Sequence, residues 1–241
     1  MNLTSPPQAN SGAPRRAAFF DVDGTLTNER TWKGLLDYFQ TNRLRRRTLL
    51  AFKAVHYPLY FIRRLGLISE SAFRGPWAAN LAWFVRGFTE EEANQVWDWN
   101  VEHFIKRFWR EDMLSVLEKH QKDGDLVMLV SSGPQPMMKT IACALGVEHA
   151  IGTRFEMHAG RYTGRSLKPI CIDEYKAILA KETLQNLGIP VDFEASFAYA
   201  DSTSDLLLLE MVGNPVAVYP GEQLKQIALQ RGWRIIPDLA S

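Results

Sequence analysis

The sequence predicts an α/β protein with a mostly parallel sheet and an inserted, all-helical segment. Three observations predict it. Short apolar runs suited to buried parallel strands recur along the chain, segments with helical start and stop signals alternate with them, and one long stretch breaks the alternation with helices alone. With 241 residues, 46% of them hydrophobic, the chain can bury a sizeable core.

The strand-like runs are 17–20 (AAFF), 126–130 (LVMLV), 197–200 (FAYA), 216–219 (VAVY) and, more weakly, 234–236 (RII). After the second run, "GPQPMMKTIACALG" opens on Gly133 and Pro134 and closes at Gly146, while "DEYKAILAKETLQNLG" closes at Gly188 and "SDLLLLEMVG" at Gly213. Between the first two runs, the segments "TWKGLLDYFQ", "RLRRRTLLAFKAV", "SESAFRGPWAANLAWFV" and "TEEEANQVWDWNVEHFIKRFW" all read as helical, and Thr89 with Glu92 forms a capping-box pattern. We therefore expect a core built from residues 16–29 and 113–241. Residues 30–112 would form a helical cap on the carboxyl edge of the sheet, where ligands bind in open α/β folds. Residues 1–15, rich in Pro, Ser, Asn and Gly and without the apolar segment of a signal peptide, read as a disordered leader.

A net charge of +1 gives no global field to gather phosphates, which argues against nucleic acid as a partner. The two cysteines, Cys143 and Cys171, stand far apart and outside any metal or redox spacing, consistent with reduced thiols and a cytoplasmic location. No run of about 18 uncharged apolar residues occurs, so no conventional spanning helix is expected. The five histidines show no ligand spacing such as H-x-x-x-H.

The chemistry concentrates at the ends of three strand runs. "AAFFDVDGT" delivers Asp21 and Asp23 to the end of a buried strand, with Gly24 free to bend the backbone behind them. A solvated hairpin turn would also suit Asp-Gly; a calcium loop would not, because its sixth and twelfth positions would be Leu26 and Trp32. "LVSSGP" places Ser131, Ser132 and Gly133 ahead of a helix, a setting that holds anions, although serine is also an ordinary helix cap. "FAYADSTSD" supplies Asp201 and, four residues on, Asp205. Carboxylates converging at about 4 Å repel by roughly 4 kcal/mol at an effective dielectric of about 20, so such a cluster calls for a cation. A divalent ion such as Mg²⁺ and a lysine, Lys168 or Lys176, would supply the neutralisation.

Together "DVDGTLT", "LVSSG", a later Lys and "ADSTSDLLLL" resemble the four motifs of the haloacid dehalogenase superfamily. The resemblance is to the phosphoserine-phosphatase-like branch (subfamily IB), with a helical cap after the first motif, and it spans about residues 16–236. It implies a Rossmann-like core and Mg²⁺-dependent hydrolysis of a phosphomonoester through an aspartyl-phosphate. It also implies that Asp21 is the nucleophile and Asp23 the general acid and base. The phosphate would be held by Thr25, Ser131 or its neighbour Ser132, Gly133, and Lys176 in preference to Lys168. The metal would be held by Asp21, Asp23, Asp201 and Asp205, Asp205 supporting either the metal or the lysine. Ala200 stands where the family usually has Gly, and "CIDEYK" lacks the Gly that often precedes the lysine.

Substrate choice turns on the residues after the motif. Phosphoserine phosphatases carry a glutamate nine residues after the nucleophile, to meet the substrate's amino group. Here that position is Arg30, with Glu29 one residue short, so a small phosphorylated metabolite other than phosphoserine is expected. Residues 30–69 also carry nine basic side chains against Asp37 alone, a net +8, with Phe52, Tyr57, Tyr60 and Phe61 interleaved. A packed helix pair with solvated arginines accounts for this. Peripheral contact of residues 43–64 with an anionic membrane is the alternative, and would suit a lipid phosphate of lysophosphatidate or phosphatidylglycerophosphate type. Phosphoryl transfer to an acceptor other than water would use the same acid pair. Trp77, Trp83, Trp97, Trp99 and Trp109 are expected in the core of the cap, some of them lining an apolar substrate channel.

Overall fold

A computed structural model describes residues 13–238. Most of the expected leader therefore lies outside the described residues, but Arg15 already pairs with the chain, its amide donating to the Pro190 carbonyl at 3.0 Å.

Six parallel strands form the central sheet: β1 (Ala17–Phe20), β2 (Leu126–Pro134), β3 (His149–Thr153), β6 (Phe197–Ala200), β7 (Asn214–Val218) and β8 (Arg234–Ile236). Their order is β3-β2-β1-β6-β7-β8. All four residues of β1 are buried, because the strand is covered on both faces. Ala18 and Phe20 face one apolar cluster, shared with α5 (Glu111–Lys122) and α6 (Gln135–Ala144). Ala17 and Phe19 face the other, shared with α7 (Glu174–Asn186), α8 (Leu206–Glu210) and α9 (Glu222–Arg231). The chain leaves β1 for β2 and β3 on one side and returns to β6 on the other. The switch point, and the crevice it opens, therefore lies between the carboxyl ends of β1 and β6.

Between β1 and β2 run α1 (Thr31–Thr41), α2 (Arg46–Arg64), α3 (Glu70–Asn80), a short 3₁₀ segment (Leu81–Val85), α4 (Glu90–His103) and α5. Phe39, Phe52, Phe84 and Trp97 are fully buried among them. The capping box at α4 forms in both directions: Glu92 N–H donates to Thr89 Oγ1 at 3.2 Å, and Thr89 N–H to Glu92 Oε2 at 2.7 Å.

Two features differ from the sequence expectation. Helix α2 continues through Pro58 to Arg64 instead of ending near Val55. Ala54 and Pro58 are both exposed, so water can satisfy the carbonyl that the proline leaves without a donor. Residues 149–166 hold three strands that the apolar runs did not reveal, namely β3 and an antiparallel hairpin of β4 (Phe155–His158) and β5 (Arg161–Ser166). The hairpin turns at Ala159 and Gly160, both with positive φ, as tight hairpins require. It packs beside the helical segment, with Tyr162 N–H donating to the Phe88 carbonyl at 2.9 Å. The hairpin strands carry polar residues on a wet face and so contain no continuous apolar run, whereas β3 is a short edge strand whose apolar stretch is interrupted by His149, Gly152 and Thr153.

Candidate active site

Asp21 follows β1 and keeps its strand geometry, its amide donating to the Tyr199 carbonyl of β6 at 3.0 Å. The chain then winds around the Val22 carbonyl, which accepts from the amides of Thr25, Leu26 and Thr27. Gly24 makes the turn possible, with a φ of +102° that an L side chain rarely adopts. A Cβ there would also collide with the Asp201 carboxylate. The turn leaves Asp23 beside the start of α1, where its Oδ1 accepts from the Thr31 amide at 2.8 Å.

Lys176 comes from the first turn of α7 and reaches Asp21 fully buried, its Nζ 2.6 Å from Asp21 Oδ1 and also bonded to Asp205 Oδ1. The other Asp205 oxygen accepts from Ser202 at 3.1 Å and Ser204 at 2.9 Å. Thr25 donates to Asp21 Oδ2 at 3.2 Å. Oxygens of Asp21, Asp201 and Asp205 all lie within 4.8 Å of one another.

Burial sets the electrostatics of this cluster. Loss of solvation, opposed by Lys176 and reinforced by Asp205 and Asp201, pushes Asp21 up to about 7. Burial also raises Asp201, against the pull of Arg30. Burial works against the charge of Lys176, but Asp205 and Asp21 outweigh it and hold the ammonium protonated. Asp205 is lowered despite its burial, because Lys176 lies against it. One buried cation is thus shared by two carboxylates, and a third carboxylate is only partly compensated.

A cavity of about 810 Å³ opens over the cluster. Asp21, Asp23, Arg30, Ser132, Asp201 and Asp205 line its floor, and Trp32, Tyr57, Tyr60, Phe61, Phe73 and Trp77 supply aromatic walls. Arg63, Glu70, Arg74 and Gln223 add polar groups. The structure therefore brings together Asp21, Asp23, Asp201, Asp205, Lys176 and Ser132, with Arg30 among them. Other expected residues take different places. Ser131 is buried, its hydroxyl accepting from the Gly133 amide at 3.2 Å, which occupies that amide. Thr25 bonds Asp21 and does not line the cavity. Glu29 pairs outward with Lys33 at 2.7 Å. Lys168 is exposed, in a loop lining a separate depression beside Pro76 and Tyr175.

Arg30 and Arg74 arrive differently. The Arg30 guanidinium bonds the Asp23 backbone carbonyl and lies 3.2 Å from Asp201 Oδ2, so a cation already sits against two oxygens of the cluster. Sequence reading singled out Arg30 but linked it to no acid. Arg74 and Phe73 carried no signal of their own, since helical spacing around a single apolar face does not tell a core from a cavity wall.

The model of the haloacid dehalogenase-like hydrolase family matches residues 18–210 of the chain. The chain belongs to that family. Among similar proteins, a histidinol-phosphatase from Neisseria meningitidis is 30% identical over 92% of this chain and 98% of its own length. A probable phosphatase from Mycobacterium tuberculosis is 29% identical over 96% of this chain and 79% of its own length. The crystal structure of a Bordetella pertussis protein of unknown function matches with a TM-score of 0.79 at 27% identity, covering 93% of this chain and 99% of that one. A phosphoserine phosphatase solved with a phospho-aspartyl intermediate analogue shares the fold, with a TM-score of 0.57 at 18% identity over 89% of this chain and 91% of that one.

Proposed function

We propose that this haloacid dehalogenase-like hydrolase is a Mg²⁺-dependent phosphomonoesterase acting through an aspartyl-phosphate on Asp21. The observation that carries this reading is the buried Asp21–Lys176–Asp205 arrangement on the floor of an open cavity, with Asp23 and Asp201 beside it. A carboxylate oxygen of Asp21 attacks phosphorus as the ester oxygen leaves, and Asp23 gives its proton to that oxygen. Asp23 then takes a proton from water, whose oxygen attacks the same phosphorus and frees inorganic phosphate and the Asp21 carboxylate. Lys176 keeps the floor neutral enough for the phosphate to approach, and Asp205 with its two serines fixes the lysine.

The donor set fits a hard divalent cation. Asp21, Asp201 and the Asp23 carbonyl offer oxygens around a point where a guanidinium is already tolerated, and Asp201 is raised by burial in a way that a cation would relieve. Asp205, its oxygens engaged by Lys176 and two serines, serves through the lysine. When bound, Mg²⁺ would neutralise the phosphoryl oxygens and bring them to the nucleophile. Because Arg30 holds two of these oxygens, Arg30→Ala should tighten Mn²⁺ binding by about tenfold, the worth of one charge-assisted hydrogen bond. Titration followed by the Mn²⁺ spin signal measures this without turnover, and unchanged affinity would show that the guanidinium does not compete.

The aromatic walls and the arginines support a substrate with an apolar or ring-bearing alcohol part, distinct from phosphoserine. Cys143 and Cys171 are both free, which suits a cytoplasmic enzyme. The test is phosphate release across amino-acid, sugar, nucleotide, polyol and lysolipid phosphates, with histidinol phosphate included, in Mg²⁺ and in chelator. Release in Mg²⁺ that vanishes in chelator is expected. Release untouched by chelator, or transfer to an added alcohol in preference to water, would defeat the reading.

A further inference from the structure

Helix α2 packs on the protein through Phe52 and His56, which are fully buried against Trp77 and Trp83. Its opposite side is apolar as well. Leu50, Ala54, Tyr57, Pro58, Phe61 and Leu65 recur at helical spacing along one exposed stripe, and the large ones are 68%, 50%, 59% and 74% exposed for Leu50, Tyr57, Phe61 and Leu65. Leu67, just beyond the helix, is 71% exposed. Isolated exposed apolar side chains are ordinary, but a continuous row of them marks a contact surface.

The charges around the stripe say what the contact is. By the same spacing Arg46, Lys53 and Arg64 line one margin, and Arg47 stands at the head of the stripe, one turn before Leu50. Residues 43–65 contain seven Arg and Lys and no Asp or Glu. A second copy of this face would set like charges against like, whereas an anionic bilayer complements both the stripe and its margins. Among the described residues no helix is long and apolar enough to cross a membrane.

The stripe also runs into the active site, because Tyr57 and Phe61 belong both to it and to the cavity wall. We propose that α2 is a docking surface for anionic lipid bilayers that brings the mouth of the cavity to the membrane. Resting on the phosphatase reading, this makes an amphiphilic phosphate monoester the substrate class, its phosphate on the carboxylate floor and its apolar chain along the aromatic wall.

Flotation of the full chain with vesicles tests the docking independently of turnover. The protein should float with phosphatidylcholine vesicles containing phosphatidylglycerol, much less with phosphatidylcholine alone, and the bound fraction should fall steeply with added salt. The double variant Leu50→Asp, Leu65→Asp, neither residue lining the cavity, should lose flotation and keep the wild-type rate on soluble p-nitrophenyl phosphate, which shows that it is folded. Wild-type protein that fails to float, floats equally on neutral vesicles, or forms a dimer that the double variant dissolves would overturn the docking surface. If docking holds, vesicles bearing lysophosphatidate should release phosphate faster with wild type than with the double variant; equal rates would overturn the proposed substrate class. A chain that floats but turns over no phosphate ester overturns the phosphatase reading alone.

Discussion

Asp21→Asn is expected to abolish phosphate release, a loss on the order of 10⁴-fold or more, as when an enzyme nucleophile is removed. The amide has the size of the carboxylate but no charge with which to attack phosphorus. The fold should survive. Lys176 retains Asp205, and the substitution removes a charge whose burial already pushes Asp21 up to about 7. The sign of the accompanying stability change follows from linkage. In the metal-free wild type, Asp21 is raised from 3.8, so between about pH 4 and 7 the folded state binds the proton more tightly than the unfolded one. This group therefore costs the wild type stability as pH rises through that window, and the Asn variant escapes the cost. Melting in chelator should show the variant gaining on wild type from pH 4 to 7. A variant that still turns over at an appreciable fraction of the wild-type rate would remove Asp21 as the nucleophile.

Lys176→Met is expected to destabilise the protein itself, by about 3–5 kcal/mol, since it leaves Asp21 and Asp205 buried without their shared cation. For a chain of this size that corresponds to a fall in Tm of roughly 10 °C. The damage should be greatest near neutral pH and shrink toward pH 5, where the stranded carboxylates take up protons in place of the lost ammonium. Combining Lys176→Met with Asp205→Asn should recover part of the loss by removing one of the two stranded charges. Calorimetry of the three proteins decides this. A single variant as stable as wild type would mean that the lysine's charge is not what balances the floor.

The two predictions separate roles that the motifs alone left joined. In the sequence Asp205 is equally a metal ligand or a partner for lysine. In the structure its Oδ1 meets Lys176 and its Oδ2 meets two serines, the contacts on which its proposed role through the lysine rests. Similarly, Lys168 and Lys176 both precede the third strand run, but only Lys176 lies on a helix that turns it beneath β1, while Lys168 is exposed in a loop.

Local signals were enough where chemistry and position coincide. The strands β1, β2 and β6 are legible because a strand covered on both faces is apolar along most of its length, β7 and the edge strand β8 through the shorter apolar runs that follow Asn214 and Arg234, and the acids because they stand at the ends of such runs. The capping box at Thr89 was legible for the same reason, since its hydrogen bonds span only three residues. Local patterning was silent on the hairpin of β4 and β5, whose backbones pair with each other while one face stays wet, and on the continuation of α2 past Pro58, where the carbonyl that loses its donor is exposed to water.

The sequence by itself determined a parallel α/β core, the acids at its strand ends and the basic character of residues 43–65. Only the tertiary structure decided which lysine serves Asp21, that Arg30 sits across Asp23 and Asp201, and that the aromatic side chains of α1, α2 and α3 wall a cavity over them. The physical reason is range. Strand and cap patterns record interactions between neighbours along the chain, whereas the site is made where β1, β6 and α7 bring together charges 155 and 171 residues apart, and their burial sets their energies.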